Sequence, residues 1–341
     1  MLGLGARASA GIVTGNAREA IIDAYAKDSA FQGVVLIGKA GKPLYQRCVG
    51  FADIEAGRKA TLDTPYAIAS ISKWLTVMAL LRLQEAGQID IDAPITRYLP
   101  AYRADTGNKV SLRRLMSNTS GIPNGYLPAV KADPSIAQQK ISAADAVTRY
   151  CSGDLSFEPG KAFDYALTNW IILVAIIEAV TGKPYATVIA ELVTTPLGLS
   201  HTATTAPATL AASYRSVSPL ERQDSGPRPY YLAAGGGFIS TAGDLLAAAH
   251  RAFDGAFLSP KSKRELTTMQ WPEQDYTLGG RVKTLFADGM PRVYAWETGR
   301  TDGYRSVLAH RFDDQTTLVL LNNTSVSQRT MDEFAFKLLG A

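Results

Sequence analysis

Strand-like segments fall at the two ends of this 341-residue chain, with a helical stretch between them. Near the start, Gly33-Val34-Val35-Leu36-Ile37-Gly38 reads as a strand, Lys39-Ala40-Gly41-Lys42 as a turn, and Pro43 to Gly50 as the returning strand of a hairpin. Near the end, Tyr304 to Phe312 and Thr316 to Asn322 are strand-like and joined at Asp313-Asp314; a terminal helix follows from Gln328 to Leu339. Residues 17–30 have helix composition, and residues 75–230 read as helices separated by loops containing Pro and Gly. Strand edges need partners, so the two ends are expected to share one antiparallel sheet. The predicted class is α+β: a sheet from both termini flanked by helices, with a mainly helical insertion. The predicted division is residues 17–80 plus 231–341 for the sheet domain and 81–230 for the helical domain, with the active site between them.

Composition narrows the function classes. Hydrophobic residues make up 46% and charged residues 19%, which suits a globular chain with a sizeable core. The 35 basic and 31 acidic residues leave a net charge of only +4. The basic residues are scattered, with no run beyond Arg113-Arg114 or Lys261-Ser262-Lys263-Arg264, so nucleic acid is not an expected partner. The apolar run Trp170 to Ile177 ends at Glu178 and is too short to span a membrane, so it is expected to be a buried core helix. Residues 1–16 read as a flexible extension or the remnant of a trimmed export signal, with Ala8-Ser9-Ala10 similar to a cleavage site. That leans toward a periplasmic or secreted protein and leaves a cytoplasmic one open. Cys48 and Cys151 are expected to be free buried thiols. His201, His250 and His310 are well separated in sequence and expected to be structural; neither a metal site nor a cofactor is expected.

One tetrad carries chemistry. In Ser70-Ile71-Ser72-Lys73, a lysine follows a serine by three residues, at what reads as the start of a helix running to a stop at Gly87. Serine alone is a poor nucleophile, and a lysine one helical turn away can take its proton. About one Ser-x-x-Lys is expected by chance in a chain this rich in both residues. The context adds weight, because the helix is apolar on most of its surface, and lysine is rarely buried without a partner or a task. Two more segments fit. Tyr165 precedes the very apolar helix, where its hydroxyl can enter a cleft. Thr298-Gly299 precedes a strand, and on an edge strand such a step would let substrate backbone approach and leave N–H groups free for an oxyanion.

In this order and at these intervals, Ser70-x-x-Lys73, Tyr165 and Thr298-Gly299 resemble the three motif regions of the serine β-lactamase and penicillin-binding-protein superfamily. The likeness is nearer to the branch of class C β-lactamases, D-alanyl-D-alanine carboxypeptidases and family VIII esterases. It extends from about residue 18 to the end, through Leu115 to Pro123, Glu158-Pro159-Gly160, Pro196 to Leu199 and Gly235 to Thr241. The resemblance implies Ser70 as the acyl-accepting nucleophile, with Lys73 and Tyr165 sharing the base and acid work. It also implies that the N–H groups of Ser70 and Arg300 form the oxyanion hole.

Three departures bear on substrate. The second motif is Tyr165-Ala166-Leu167, where relatives carry Asn in place of Leu167; Asn169 lies two residues further on. The third is Glu297-Thr298-Gly299, where relatives carry Lys or His in place of Glu297. Asn118 stands where many relatives have His. An anionic Glu297 would repel a substrate carboxylate, so a preference for neutral or amine-bearing esters and amides is expected. The reading is a serine hydrolase, an esterase or amidase on a small ester, amide or peptide-like molecule. A β-lactamase or D-alanyl-D-alanine carboxypeptidase, a catalytically silent binding or sensor protein, and an acyl transferase stay open as alternatives.

Overall fold

The computed structural model describes residues 15–223, 228–287 and 289–340. The expected extension at 1–16 lies outside these except for Gly15 and Asn16, which begin helix α1 (Gly15–Ser29). The helices that build the site and its support are α2 (Ile71–Glu85), α3 (Leu167–Thr181), α4 (Ala242–Phe253) and α5 (Gln328–Leu339).

A six-stranded antiparallel sheet forms from both ends of the chain, as the strand placement predicts. Its strands are β1 (Gly33–Lys39), β2 (Lys42–Val49), β3 (Val282–Ala287), β4 (Met290–Thr301), β5 (Tyr304–Arg311) and β6 (Thr316–Asn322), in the order β2-β1-β6-β5-β4-β3. The first and last strands meet at the centre, where Val35 lies opposite Leu320. Both faces are covered. On one side Val35, Ile37, Trp296, Val307, Leu318 and Leu320 pack against Ile22 of α1 and Phe334 and Leu338 of α5. On the other, Val34, Leu36, Leu308, Val319 and Leu321 join a cluster that runs through α2 and α4 into α3. This double burial is why β1 reads as an unbroken apolar run rather than an alternating one. Strand β2 is an edge and half-solvated, which leaves Cys48 exposed; Cys151 is the buried thiol, and both are free.

The domain boundary expected at residues 80/81 falls inside α2, and the one at 230/231 inside a short 3-10 turn at Tyr230–Leu232. One hydrophobic cluster spans the sheet's inner face and the helical part, so α2 works as a shared spine between them. Helix α3 is buried along Thr168–Ile177, as its apolar run predicts. No single helix among the described residues is long and apolar enough to cross a membrane.

Candidate active site

Ser70 is the N-cap of α2, and its side chain makes no capping bond. A cap serine normally spends its oxygen on the N–H of the residue three positions on. Here the Ser70 Oγ accepts instead from the Lys73 Nζ, at 3.2 Å. The residue before it, Ala69, has φ +46°, a left-handed conformation that costs a non-glycine residue and orients the turn. The second serine of the tetrad locks that turn: the Ser72 hydroxyl donates to the Ala69 carbonyl at 2.5 Å and accepts from the Phe238 N–H at 3.0 Å. Ser72 is fully buried, whereas Ser70 is partly open.

Lys73 is 3% exposed, yet its ammonium is well supplied. It donates to Ser70 Oγ and to the Gly235 carbonyl, and lies 4.9 Å from the Tyr165 ring centre and 5.4 Å from that of Trp170. Aromatic faces and carbonyl oxygens are ordinary partners of a buried lysine head group. Tyr165 is 41% exposed, and its hydroxyl makes no hydrogen bond among the described residues. Its backbone is set by the loop at 118–121: the Asp164 N–H donates to the Asn118 carbonyl at 2.9 Å and the Gly160 N–H to the Thr119 carbonyl at 2.7 Å. Tyr276 stands edge-on to Tyr165, with ring centres 6.1 Å apart.

Opposite Ser70, strand β4 ends in a free edge. Strand β3 pairs with it only through Ala295, while β5 pairs with it to Thr301. The Trp296 N–H donates to the Arg281 carbonyl, so residues 296, 298 and 300 turn their backbone groups away from β5. The N–H groups of Thr298 and Arg300 therefore point off the open edge. The Ser70 N–H also lacks an acceptor among the described residues. These are donors of the kind that stabilise an oxyanion, at the positive end of α2. Gly299 corrects one expectation: the close approach it permits is to the protein's own Ile68 carbonyl and the Ser306 hydroxyl, where any Cβ would collide. It brings β4 against the turn that carries Ser70.

The residues expected to read substrate divide. Thr298 is half-buried and Arg300 is exposed, both at the open edge. Leu167, at the start of α3, packs on Gly235 beside the lysine's carbonyl partner. Asn169 does not face the cleft. It is fully buried, accepts from the Ser120 hydroxyl at 2.6 Å and donates to the Asn118 side-chain oxygen at 3.1 Å. Asn118 in turn donates to the Tyr276 hydroxyl at 2.8 Å. This chain of bonds ties the 118–121 loop to α3 and to the ring behind Tyr165.

Glu297 corrects the electrostatic expectation. It is 4% exposed and packed on Gly280, and the Arg281 backbone N–H bonds its carboxyl. Burial pushes its pKa up to about 8, with Arg281 and that N–H opposing only in part. At neutral pH the group is mostly a neutral acid, so the charge expected to repel carboxylates is largely absent. Tyr276 is likewise pushed up by burial, and next by Tyr165.

Sequence reading missed Tyr276 and the Gly235 carbonyl as partners of the site. The signal for the first was the Gly279-Gly280 pair that follows it: Gly279 packs on the Lys73 carbonyl and Gly280 on Glu297, as glycines do where backbones approach closely. No histidine bonds Ser70 among the described residues. His250 and His310, apart in sequence, meet at Asp254, the C-cap of α4, at 2.9 and 3.3 Å. A cavity of about 1020 Å³ opens beside the Ser70 turn, walled by Ala67, Leu210, Tyr230, Phe238, Thr301 and Tyr304. Ser70, Lys73 and Tyr165 do not line it; Gly236, which does, packs on Ala69.

Known proteins share this architecture. The D-stereospecific amidohydrolase of a Streptomyces species superposes with a TM-score of 0.79 over 96% of this chain and 99% of its own, at 24% identity. The octameric penicillin-binding-protein homologue of Pyrococcus abyssi gives 0.80 over 95% and 77%, at 22% identity. In sequence, esterase EstB of Burkholderia gladioli is 33% identical over 193 residues, 53% of this chain and 49% of that one. Protein flp of Staphylococcus aureus strain COL is 30% identical over 49% of this chain and 34% of its own. The chain thus spans half or less of the length of these curated relatives. The model of the beta-lactamase family matches residues 18–340, and the chain belongs to that family.

Proposed function

We propose that the protein is a serine hydrolase that cleaves a small ester or amide through an acyl-enzyme on Ser70. The observation that carries this is the Ser70 hydroxyl itself: uncapped, partly open, and 3.2 Å from a buried, well-partnered lysine. In the first step Ser70 Oγ bonds to the substrate carbonyl carbon, and its proton passes to Lys73 or Tyr165. The carbonyl oxygen becomes an anion held by the N–H groups of Ser70 and Arg300. The carbon–oxygen or carbon–nitrogen bond then breaks, and the departing group takes the proton, with Tyr165 suited by its exposure to deliver it. Water attacks the acyl-enzyme by the same route in reverse and frees Ser70. The cavity beside the turn has room for a sizeable, mainly apolar substituent. The similarity to an esterase and to a D-stereospecific amidohydrolase supports the ester and amide reading.

A second reading, β-lactamase or D-alanyl-D-alanine carboxypeptidase, gains from the burial of Glu297, which removes most of the charge that would oppose carboxylate-bearing substrates. Turnover of short 4-nitrophenyl esters, D-amino-acid amides and a chromogenic cephalosporin by wild type and Ser70→Ala separates the readings. Ser70-dependent ester or amide cleavage, with little or no cephalosporin cleavage, is expected. Fast cephalosporin cleavage favours the second reading. An absence of any Ser70-dependent turnover favours a silent binding protein.

A further inference from the structure

Tyr165 is the most exposed of the three side chains in the proposed reaction, and its hydroxyl has no hydrogen-bond partner among the described residues. A proton carrier still has to be aimed, since a misplacement of ~1 Å can cost about 10²-fold in rate. The aim of Tyr165 has to come from what its ring touches. The Lys73 ammonium lies 4.9 Å from the ring centre. Tyr276 stands at 88° to the ring, with centres 6.1 Å apart. Phe163 completes a triangle, 6.5 Å from Tyr165 and 5.1 Å from Tyr276. Aromatic pairs at such separations favour edge-to-face geometry, so a fixed ring orients an exposed one.

Tyr276 is the fixed member of the triangle. It is fully buried, and its backbone is clasped by a turn: its N–H donates to the Trp271 carbonyl at 3.0 Å, and its carbonyl accepts from the Gln270 N–H at 2.8 Å. The Arg281 guanidinium carbon lies 5.1 Å from the ring centre. The hydroxyl accepts from Asn118 Nδ2 at 2.8 Å. Asn118 is itself fully buried, with φ +56°, a conformation that Asn tolerates better than most residues. Its carbonyl accepts from the Asp164 N–H, one residue before Tyr165, and its Oδ1 accepts from Asn169 in the first turn of α3. One residue thus fixes both the ring behind Tyr165 and the chain on either side of it.

We propose that Tyr276, held by Asn118, is a positioning residue that aims the Tyr165 hydroxyl at Ser70 and Lys73. The proposal rests on the hydrolase reading above. Tyr276 touches neither Ser70 nor the space where a substrate carbonyl would sit, and it acts only through the Tyr165 ring. Burial first, and Tyr165 next, raise its pKa, so its own hydroxyl keeps its proton.

The test is a double-mutant cycle on hydrolysis of a short 4-nitrophenyl ester, with thermal unfolding followed in parallel. Tyr276→Leu removes the ring edge and should lower kcat by ~10–10²-fold. Its KM should stay within about twofold of wild type, because substrate binding is untouched. Tyr276→Phe keeps the ring, breaks only the bond from Asn118, and should lower kcat by ~2–10-fold. In a Tyr165→Phe background no hydroxyl is left to aim, and either change should cost less than about twofold. A residue that merely supports the fold would lower activity by the same factor in both backgrounds. That result, or wild-type kcat in both single variants, overturns the positioning role and leaves the hydrolase reading standing. If Tyr276→Leu does not fold, the Tyr276→Phe cycle decides by the same criterion. Absence of Ser70-dependent turnover in the wild-type protein defeats the hydrolase reading and the positioning role with it.

Discussion

Lys73 and Glu297 lie on either side of one loop, and the loop treats them oppositely. Gly279 packs on the Lys73 carbonyl and Gly280 on the Glu297 carboxyl. Both side chains are almost wholly buried. Lys73 meets a hydroxyl, a carbonyl and two aromatic faces, all suited to an ammonium. Glu297 meets one backbone N–H and a cation at longer range, and burial wins, with its pKa near 8. The lesson is that burial alone does not decide a charge; the number and kind of partners do. One buried side chain has hydrogen-bond and aromatic partners next to Ser70, and the other fills space as a neutral acid.

The largest break in that comparison is Lys73→Met, which roughly keeps the volume and removes the amine proposed to share the base work with Tyr165. Ester turnover should fall by ~10²–10⁴-fold, the range for a lost general base, with the thermal unfolding transition retained. Tyr165→Phe sharpens the division of labour: a loss of ~10²-fold or more, greater for amides than for activated esters, assigns the tyrosine to the leaving group. An equal loss on both assigns it elsewhere. Gly299→Ala probes the scaffold. Its Cβ would drive β4 off the Ile68 carbonyl, and a stability loss of about 1–3 kcal/mol is expected by urea unfolding.

A separate effect falls on the pH dependence of stability. The folded-state pKa of Glu297 is raised from 4.5 to about 8. Between those values the folded protein holds a proton that the unfolded chain has released. Its contribution is therefore fully present below about pH 4.5 and is lost as pH rises through about 8. Glu297→Gln should flatten the decline of unfolding free energy across that window; an unchanged slope would place the carboxyl in its ordinary ionised state.

The sheet was legible because its central strands are apolar on both faces and its hairpin turns are marked by Gly or Asp. Strands β3 and β4 were harder to see. β3 is an edge strand, and Phe286 and Met290 are exposed where the two join, so no apolar run announces them. That Ser70, Lys73 and Tyr165 would lie together was legible from spacing and context. The roles of Glu297 and Asn169 were not, because each depends on a remote segment: the loop around Gly280 for one, and Asn118 with Ser120 for the other. Asn169 did leave a trace, as a polar residue at the head of a helix buried along most of its length. Nothing local marked which way it faced.

The most direct measurement of the central claim is intact-protein mass spectrometry after brief mixing with a slow 4-nitrophenyl ester, followed by peptide mapping. An added mass equal to the acyl group, on the peptide containing Ser70, present in wild type and absent in Ser70→Ala, is the predicted result. Nitrophenol release with no adduct on that peptide, and undiminished in Ser70→Ala, would contradict the account.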